Sequence, residues 1–195
     1  MKYFVVGLGN PGKEYENTRH TTGARVLDMF RKIEGFPEWE FDKKRNALIS
    51  SRKLKSYNLQ LLLPQTFMNK SGNALRGVVK NKKDAGRLIV IHDDLDIPLG
   101  SYKLSFNKSS GGHKGVESII RALKTQAFAR IRIGISPSTP KGVIKKPKGE
   151  TAVERHILGN FSAVELSALK KLFPRIVETL SRFITEGREK VMSMK

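Results

Sequence analysis

Residues 88–96 read LIVIHDDLD, four consecutive apolar residues followed by a histidine and three carboxylates. An apolar run without alternation is typical of a strand that is buried on both faces, and we predict such a strand at residues 88–92. Similar short apolar runs alternate along the chain with stretches of helical periodicity. This order predicts an α/β fold, in which a twisted mixed β-sheet is flanked by helices. A length of 195 residues fits a single domain over residues 1–195.

The apolar spacing also predicts the other elements. It favours helices at residues 22–34, at 116–123, and from near Ser71 onward, and strands at residues 3–6, 47–51, 59–63, 102–106 and 131–135. A polar turn around residues 56–58 is expected to join the second and third of these strands. Ser162 and Glu165 form a capping box that opens a C-terminal helical region at 162–193, which Pro174 is expected to kink or split. Residues 136–159, rich in Pro, Gly and Lys, are predicted to be irregular.

The charge of the chain is strongly positive. There are 37 basic and 18 acidic residues, a formal net charge of +19. A folded domain with this charge attracts polyanions, above all nucleic acid, with anionic membrane surfaces as the weaker option. Between residues 97 and 149 there are eleven Lys or Arg residues, and Glu117 is the only acid. We therefore expect one continuous positive face.

Composition excludes several kinds of site and location. The chain contains no cysteine, which rules out disulfides, thiolate nucleophiles and cysteine-based metal sites. No apolar run approaches the ~20 residues of a membrane-spanning helix, and the N-terminus lacks a signal-peptide core. We therefore expect a cytoplasmic protein that does not associate with membranes.

Residues 7–12 read GLGNPG and match the dinucleotide-binding pattern G-x-G-x-x-G literally. A dinucleotide site requires a helix that begins inside the motif, so that its N-terminal amides meet a pyrophosphate. Pro11 removes one of these amides and disfavours the helical conformation at Asn10. We therefore interpret the motif as a tight loop at the end of a strand that presents the Asn10 side chain.

The histidines and carboxylates leave three interpretations open. His92, Asp93, Asp94 and Asp96 close the buried strand, where open α/β sheets place their sites. The carboxylates could stabilise a capped turn, or they could hold a metal with His92 or His20 as a further ligand. Alternatively, one carboxylate could orient His20 as a base that takes a proton from water.

Two further loops carry polar groups. Residues 64–72 read PQTFMNKSG and place a lone amide, Asn69, at a strand end. Residues 109–115 read SSGGHKG, in which His113 is interpreted as a structural loop residue and the following helix N-terminus as an anion site. Neither serine has the spacing of a hydrolase nucleophile, so any hydrolysis would use water directly.

Six blocks of this chain together resemble the bacterial-type peptidyl-tRNA hydrolase family. In order they are GLGNPGxxYxxTRH at 7–20, PxTFMNxSG at 64–72, DDLDxPxG at 93–100, GGHxG at 111–115, RIRIGI at 130–135 and ILGxF at 157–161. The resemblance runs from about residue 3 to residue 190. It implies a monomeric α/β enzyme that cleaves the ester between a nascent peptide and the terminal ribose of tRNA, with neither cofactor nor metal.

The resemblance also implies residue roles. His20 is the general base acting on water, Asp93 is its orienting partner, and Asn10 positions substrate and water. Met68 lines the peptide channel, and residues 136–159 correspond to a mobile lid. The remaining contacts to peptide or tRNA are Tyr15, Phe67, Asn69, Lys103, Gly112, Lys114 and Arg132, of which Arg132 matches the contact to the 5′-phosphate.

Three positions depart from the family pattern. Lys114 stands where the family usually has asparagine, Thr21 also replaces an asparagine, and Ser105 replaces a lysine of the phosphate contact. An alternative function is RNA binding without catalysis, as in splicing-factor relatives of this fold. Retention of Asn10, His20, Asn69 and Asp93 together favours the enzyme. A nucleotide-dependent oxidoreductase, suggested by the glycine motif, is the most distant alternative.

Overall fold

The computed structural model describes residues 1–54 and 57–193, in which seven strands form one mixed sheet. The strand order is β2-β3-β4-β1-β5-β7-β6. The strands are β1 (Lys2–Gly7), β2 (Glu40–Asp42), β3 (Ala47–Leu54), β4 (Tyr57–Pro64), β5 (Leu88–Pro98), β6 (Tyr102–Phe106) and β7 (Ala129–Ser136). This confirms the predicted α/β class with a mixed sheet.

The centre of the sheet is parallel and its edges are antiparallel. Strands β4, β1, β5 and β7 run parallel to one another, whereas β2–β3, β3–β4 and β6–β7 pair antiparallel. The predicted strand at 88–92 is confirmed and continues to Pro98, with a register shift between Asp94 and Pro98. Because parallel strands end at the same edge, the ends of β1, β4 and β5 bring their loops together.

Helices cover both faces of the sheet. The α-helices are α1 (Thr22–Ile33), α2 (Lys82–Ala85), α3 (Lys114–Leu123), α4 (Glu150–Leu158), α5 (Ala163–Glu186) and α6 (Arg188–Ser193), with short 3-10 helices at Lys13–Tyr15, Arg19–Thr21 and Met68–Leu75. Residues of α1 and α5 pack on one face around Ile91 and Ile133. Residues of α3 and of the 3-10 helix at Met68–Leu75 pack on the other face around Val90. The apolar side chains of β5 are therefore buried on both sides.

The structure corrects three predictions of secondary structure, and a fourth falls partly outside the described residues. The helix expected near Ser71 is a 3-10 helix that stops at Leu75, because Gly77 turns the chain with a φ of 75°. Pro174 does not split α5, which is continuous across it. The segment 136–159 is not irregular throughout, since it contains α4. Ser56, the first residue of the expected turn, lies outside the described residues, and Tyr57 and Asn58 already belong to β4.

None of the helices in the described parts of the chain combines the length and the apolar character that crossing a membrane requires.

Candidate active site

A cleft of about 470 Å³ opens where the carboxyl ends of β1, β4 and β5 meet the first turn of α3. Its lining includes nine of the eleven residues predicted for the site: Asn10, Tyr15, His20, Phe67, Met68, Asn69, Asp93, Gly112 and Lys114. Lys103 and Arg132 do not line it and lie on β6 and β7. The volume is in the range of ordinary ligand pockets.

His20 and Asp93 are in direct contact at the floor of the cleft. His20 Nδ1 lies 2.9 Å from Oδ2 and 3.0 Å from Oδ1 of Asp93, and both residues are buried. The ring therefore donates its Nδ1 proton to the carboxylate. Nε2 has no partner among the described residues, and an imidazole in this tautomer carries its lone pair there.

His113 is the second donor to Asp93, which the sequence interpretation missed. Its Nε2 lies 3.0 Å from Asp93 Oδ1. Its Nδ1 accepts hydrogen bonds from the backbone N–H groups of Gly115 and Val116, in the first turn of α3. An atom that accepts two N–H bonds carries no proton, so the proton of the neutral ring is on Nε2 and is donated to Asp93. These amides are thus occupied, and the anion site expected at this helix terminus is not free.

The Asp93 carboxyl is held ionised by its neighbours. Burial alone would raise its pKa, but His20 and His113, through charge and hydrogen bonds, lower the pKa well below the usual value. A fixed anion between two imidazoles keeps both rings in one orientation.

The His92 side chain lies on the opposite face of β5 from Asp93, and its ring stays neutral. Burial, followed by the nearby His113, lowers its pKa well below the usual value. Its Nδ1 donates to the backbone carbonyl of Asp93 at 2.7 Å, and its buried Nε2 finds no partner within residues 1–54 and 57–193. The ring packs edge-on against His113, with centroids 4.7 Å apart. His92 therefore supports the floor of the cleft from beneath.

The three carboxylates of the 93–96 segment are separated rather than gathered around one point. Asp93 contacts the two histidines, Asp94 pairs with Arg132 at 2.7 Å, and Asp96 pairs with Lys146 at 2.6 Å. Asp94 also accepts the Asp96 backbone N–H at 2.8 Å. The capped-turn interpretation therefore describes Asp94, and the His–Asp interpretation describes Asp93. This separation argues against a metal bound by all three.

A different group, His20, Asp93 and His113, has ligand atoms within 4.8 Å of one another. The hydrogen bonds oppose metal binding there. Both imidazole nitrogens that face Asp93 carry protons, and His113 could give up its proton only by losing two helix-capping bonds or becoming an imidazolate.

The amides Asn10 and Asn69 both line the cleft. Asn10 Oδ1 accepts the Met68 backbone N–H at 2.9 Å, which ties the loop after β1 to the loop after β4. Its NH₂ group and the exposed side chain of Asn69 have no partner among the described residues. A Cβ on Gly115 would collide with the sulfur of Met68, so glycine is needed where α3 approaches this loop.

An aromatic pair forms one rim of the cleft. Tyr15 and Phe67 meet edge to face, with ring centroids 6.4 Å apart and an interplanar angle of 88°. Phe67 is 59% exposed. An exposed ring beside a polar floor offers a stacking surface for a base or an apolar side chain.

Arg19 anchors the 3-10 helix that carries His20. Its Nη2 lies 2.8 and 2.9 Å from the two carboxylate oxygens of Glu165, and its Nη1 donates to the His156 carbonyl. Glu165 also forms a capping box with Ser162, which confirms that prediction. The start of α5 and the end of α4 therefore hold the residue next to His20.

The opposite wall comes from α4 and the segment before it. Val153, Ile157 and Leu158 face the cleft. Two exposed ion pairs connect this wall to the other side of the cleft. Lys146 pairs with Asp96, and Glu150 pairs with Lys114 at a longer distance of 3.8 Å. Exposed pairs of this kind contribute little energy, about 0–1 kcal/mol each, so these two pairs add little to the stability of the wall.

These features can be compared with known proteins. The family model described as peptidyl-tRNA hydrolase matches residues 4–195. The chain belongs to the peptidyl-tRNA hydrolase family. It is 39% identical over 191 residues to the peptidyl-tRNA hydrolase of Prochlorococcus marinus strain MIT 9215, covering 97% of this chain and 93% of the relative. The enzyme of Thermodesulfovibrio yellowstonii is 38% identical, covering 97% and 96%. The crystal structure of peptidyl-tRNA hydrolase from Acinetobacter baumannii superposes with a TM-score of 0.85 at 27% identity, covering 98% and 92%.

Within this peptidyl-tRNA hydrolase fold, the three departing positions have different surroundings. Lys114 begins α3 and is exposed at the cleft. Thr21 is buried, and its hydroxyl lies 3.2 Å from that of Thr18. Ser105 is buried opposite Arg130, and its hydroxyl has no hydrogen-bond partner in the described part of the chain. Only Lys114 lies where it can meet a substrate in the cleft.

Proposed function

We propose that this chain hydrolyses the ester that joins a peptide to tRNA in peptidyl-tRNA, with His20 as the general base. The observation that carries the proposal is the buried His20–Asp93 contact, which leaves Nε2 of His20 as the unpartnered nitrogen of the ring. Membership of the peptidyl-tRNA hydrolase family supports the substrate class. The reaction frees tRNA from prematurely released chains.

The mechanism follows from the groups that line the cleft. Water attacks the ester carbonyl carbon while its proton passes to His20 Nε2, a step for which a positioned base contributes about 10²–10⁴-fold. The ring then carries a positive charge that the Asp93 carboxylate stabilises. When the tetrahedral intermediate collapses, His20 returns the proton to the leaving ribose oxygen, so that the peptide carboxylic acid and free tRNA result.

Asparagine amides supply the neutral donors of this reaction. The free NH₂ groups of Asn10 and Asn69 can hold the peptide carbonyl and the developing oxyanion, and removing one such donor typically costs about 10²–10³-fold in rate. Met68, Phe67, Tyr15, Gly112 and Lys114 surround the acyl and ribose parts in this proposal. No metal and no cofactor take part.

The tRNA body lies outside the cleft in this proposal. The net charge of +19 favours a polyanion, and Lys103 and Arg132 are neighbours in register across β6 and β7. We assign this pair to RNA phosphates. We also propose that the protein acts as a monomer in the cytoplasm, which size-exclusion chromatography with light scattering and fractionation would check.

A direct test compares N-acetyl-aminoacyl-tRNA with unblocked aminoacyl-tRNA. Wild-type protein should cleave the blocked substrate and spare the unblocked one, whereas His20→Ala should lose cleavage and keep tRNA affinity. Thr179→Ala is a control, because its hydroxyl contacts Tyr102 and the Arg175 carbonyl and the residue lies outside the cleft lining. Binding of tRNA without cleavage by the wild type would instead favour the non-catalytic RNA-binding function.

A further inference from the structure

Asp94 makes two bonds that the proposed mechanism does not use. Its Oδ2 accepts the Arg132 Nε–H at 2.7 Å, and its Oδ1 accepts the backbone N–H of Asp96 at 2.8 Å. The side chain is 13% exposed, so the carboxylate is largely withdrawn from water. Each oxygen therefore has one fixed donor, and the carboxylate cannot rotate without losing both.

This contact uses only one edge of the Arg132 guanidinium. Nε is taken by Asp94, while the two terminal nitrogens, Nη1 and Nη2, have no partner among the described residues. The side chain is 27% exposed. Two parallel N–H donors on a rigid plane match the oxygens of a phosphate. Lys103, exposed and directly opposite in register on β6, adds a second positive charge.

The sheet fixes where this fork lies relative to the catalytic floor. Arg132 pairs in register with His92, and Asp94 follows two residues later on the same face of β5. Asp93, between them, points the other way, toward His20. The β5 register shift beyond Asp94 brings Pro98 so close to β7 that a side chain at Gly134 would strike its carbonyl. This close contact holds β5 against β7 just beyond Asp94 and so restricts movement of the Asp94 backbone.

We propose that Asp94 is a positioning residue for tRNA binding. It holds the Arg132 guanidinium by Nε so that Nη1 and Nη2 form a ready two-donor fork for one RNA phosphate beside Lys103. The inference rests on the proposed function for its ligand, tRNA. Because Asp94 and Asp93 are consecutive on one strand, the phosphate contact and the base are set at a fixed separation.

Electrostatics alone predicts the opposite effect. If Asp94 merely neutralised Arg132, its removal would raise the net charge from +19 to +20 and tighten binding of RNA. If Asp94 positions the fork, Asp94→Asn should weaken binding in spite of the added positive charge. The amide offers one acceptor to two donors, so Asn cannot hold both Arg132 and the Asp96 amide.

The experiment measures the Kd of deacylated tRNA by fluorescence anisotropy over a salt series, together with kcat and KM on N-acetyl-aminoacyl-tRNA. The variants are Asp94→Asn, Arg132→Gln and the double variant. Asp28→Asn is the control, because Asp28 also accepts an arginine Nε–H, from Arg31 at 3.1 Å, and its loss changes the net charge equally. Asp28 lies on α1 outside the cleft lining.

Asp94→Asn should raise Kd and KM about fivefold, which corresponds to about 1 kcal/mol, with little change in kcat. Arg132→Gln should raise Kd and lower the salt slope by about 1. The double variant should match Arg132→Gln alone, since Asp94 acts only through that side chain, and Asp28→Asn should bind tRNA as the wild type does.

Tighter or unchanged binding by Asp94→Asn would overturn the inference, as would an additive loss in the double variant. A fall in kcat at unchanged KM would also overturn it, because that result would place Asp94 in the chemical step. Failure of the wild type to cleave the blocked substrate would refute the proposed function instead. The tRNA affinities would then still decide whether Asp94 positions Arg132.

Discussion

Asp93→Asn tests the hydrogen-bond network around the base. In the wild type, three short contacts converge on two carboxylate oxygens, at 2.9 and 3.0 Å from His20 and at 3.0 Å from His113. Asparagine keeps the shape of the side chain but has one acceptor and one NH₂ donor. Since the Nε2 proton of His113 is fixed by the α3 amides, the amide oxygen must take the Oδ1 position beside His113, and the NH₂ group then takes the Oδ2 position, the nearer of the two to His20 Nδ1.

This orientation moves the proton on His20. A donor facing Nδ1 favours the tautomer protonated at Nε2, which leaves no lone pair there for the proton of water. The loss should approach the full contribution of the base, about 10²–10⁴-fold in kcat, with the Kd for tRNA unchanged. Single-turnover cleavage of N-acetyl-aminoacyl-tRNA measures it, with circular dichroism as the control for folding.

A second substitution makes the reasoning sharper. In Asp93→Asn combined with His113→Ala, the amide is free to turn its oxygen toward His20, so the double variant should cleave faster than Asp93→Asn alone. A double variant slower than the single one would refute the tautomer argument. An Asp93→Asn protein within about threefold of the wild type, well short of that base contribution, would refute the role of the carboxylate altogether.

Two further predictions concern stability and metals. His92 stays neutral in the folded protein because its pKa is lowered, whereas in the unfolded chain it takes up a proton below about pH 6.5, so stability should fall with pH below that value by up to about 1.4 kcal/mol per unit. Urea unfolding between pH 7.5 and 5.5 should show this slope in the wild type and a smaller one in His92→Asn; equal slopes would argue against a buried neutral ring. Hydrolysis should persist in excess EDTA, since the nitrogens facing Asp93 are protonated donors; loss of activity that zinc restores would point to a bound metal at His20, Asp93 and His113.

Local patterns predicted the elements that depend on local chemistry. The strand at residues 102–106 and the capping box of Ser162 and Glu165 were predicted as they occur, because alternation and capping involve residues close together in sequence. The spacing of apolar residues between 74 and 79 was misleading. Gly72 packs against the backbone of Ser118 in α3, and Gly77 turns the chain, so tertiary packing replaced the expected helix with a shorter 3-10 helix.

At Pro174, by contrast, tertiary packing preserved a helix that the sequence predicted to be kinked or split. A proline inside a helix costs about 3 kcal/mol, which favours a break. The buried side chains of α5 on both sides of it, among them Phe173 and Ile176, each contribute roughly 1.5–3 kcal/mol when fully buried, and together they outweigh the defect. Sequence periodicity showed the apolar stripe but could not show that its residues on both sides of Pro174 are buried in one core cluster.

The resemblance predicted the residues of the candidate site and the pairing of His20 with Asp93, but not the contacts of His113 with Asp93 and of Arg132 with Asp94. His113 was interpreted as a loop residue because its partner, Asp93, is twenty positions away and meets it only when β5 and α3 come together. The available signal was its position directly before a helix, where a side-chain acceptor is favoured. The pairing of Asp94 with Arg132 likewise depends on the parallel register of β5 and β7, which the sequence does not specify.

The ion pair between Glu165 and Arg19 has a consequence for the order in which the site forms during synthesis. Translation makes the base and its neighbouring arginine early, but the carboxylate that steadies them belongs to the last long helix. A growing chain lacks this ion pair until α5 has been synthesised and has folded against the 3-10 helix that carries Arg19. The support of the residue next to His20 is therefore among the last parts of the site to form.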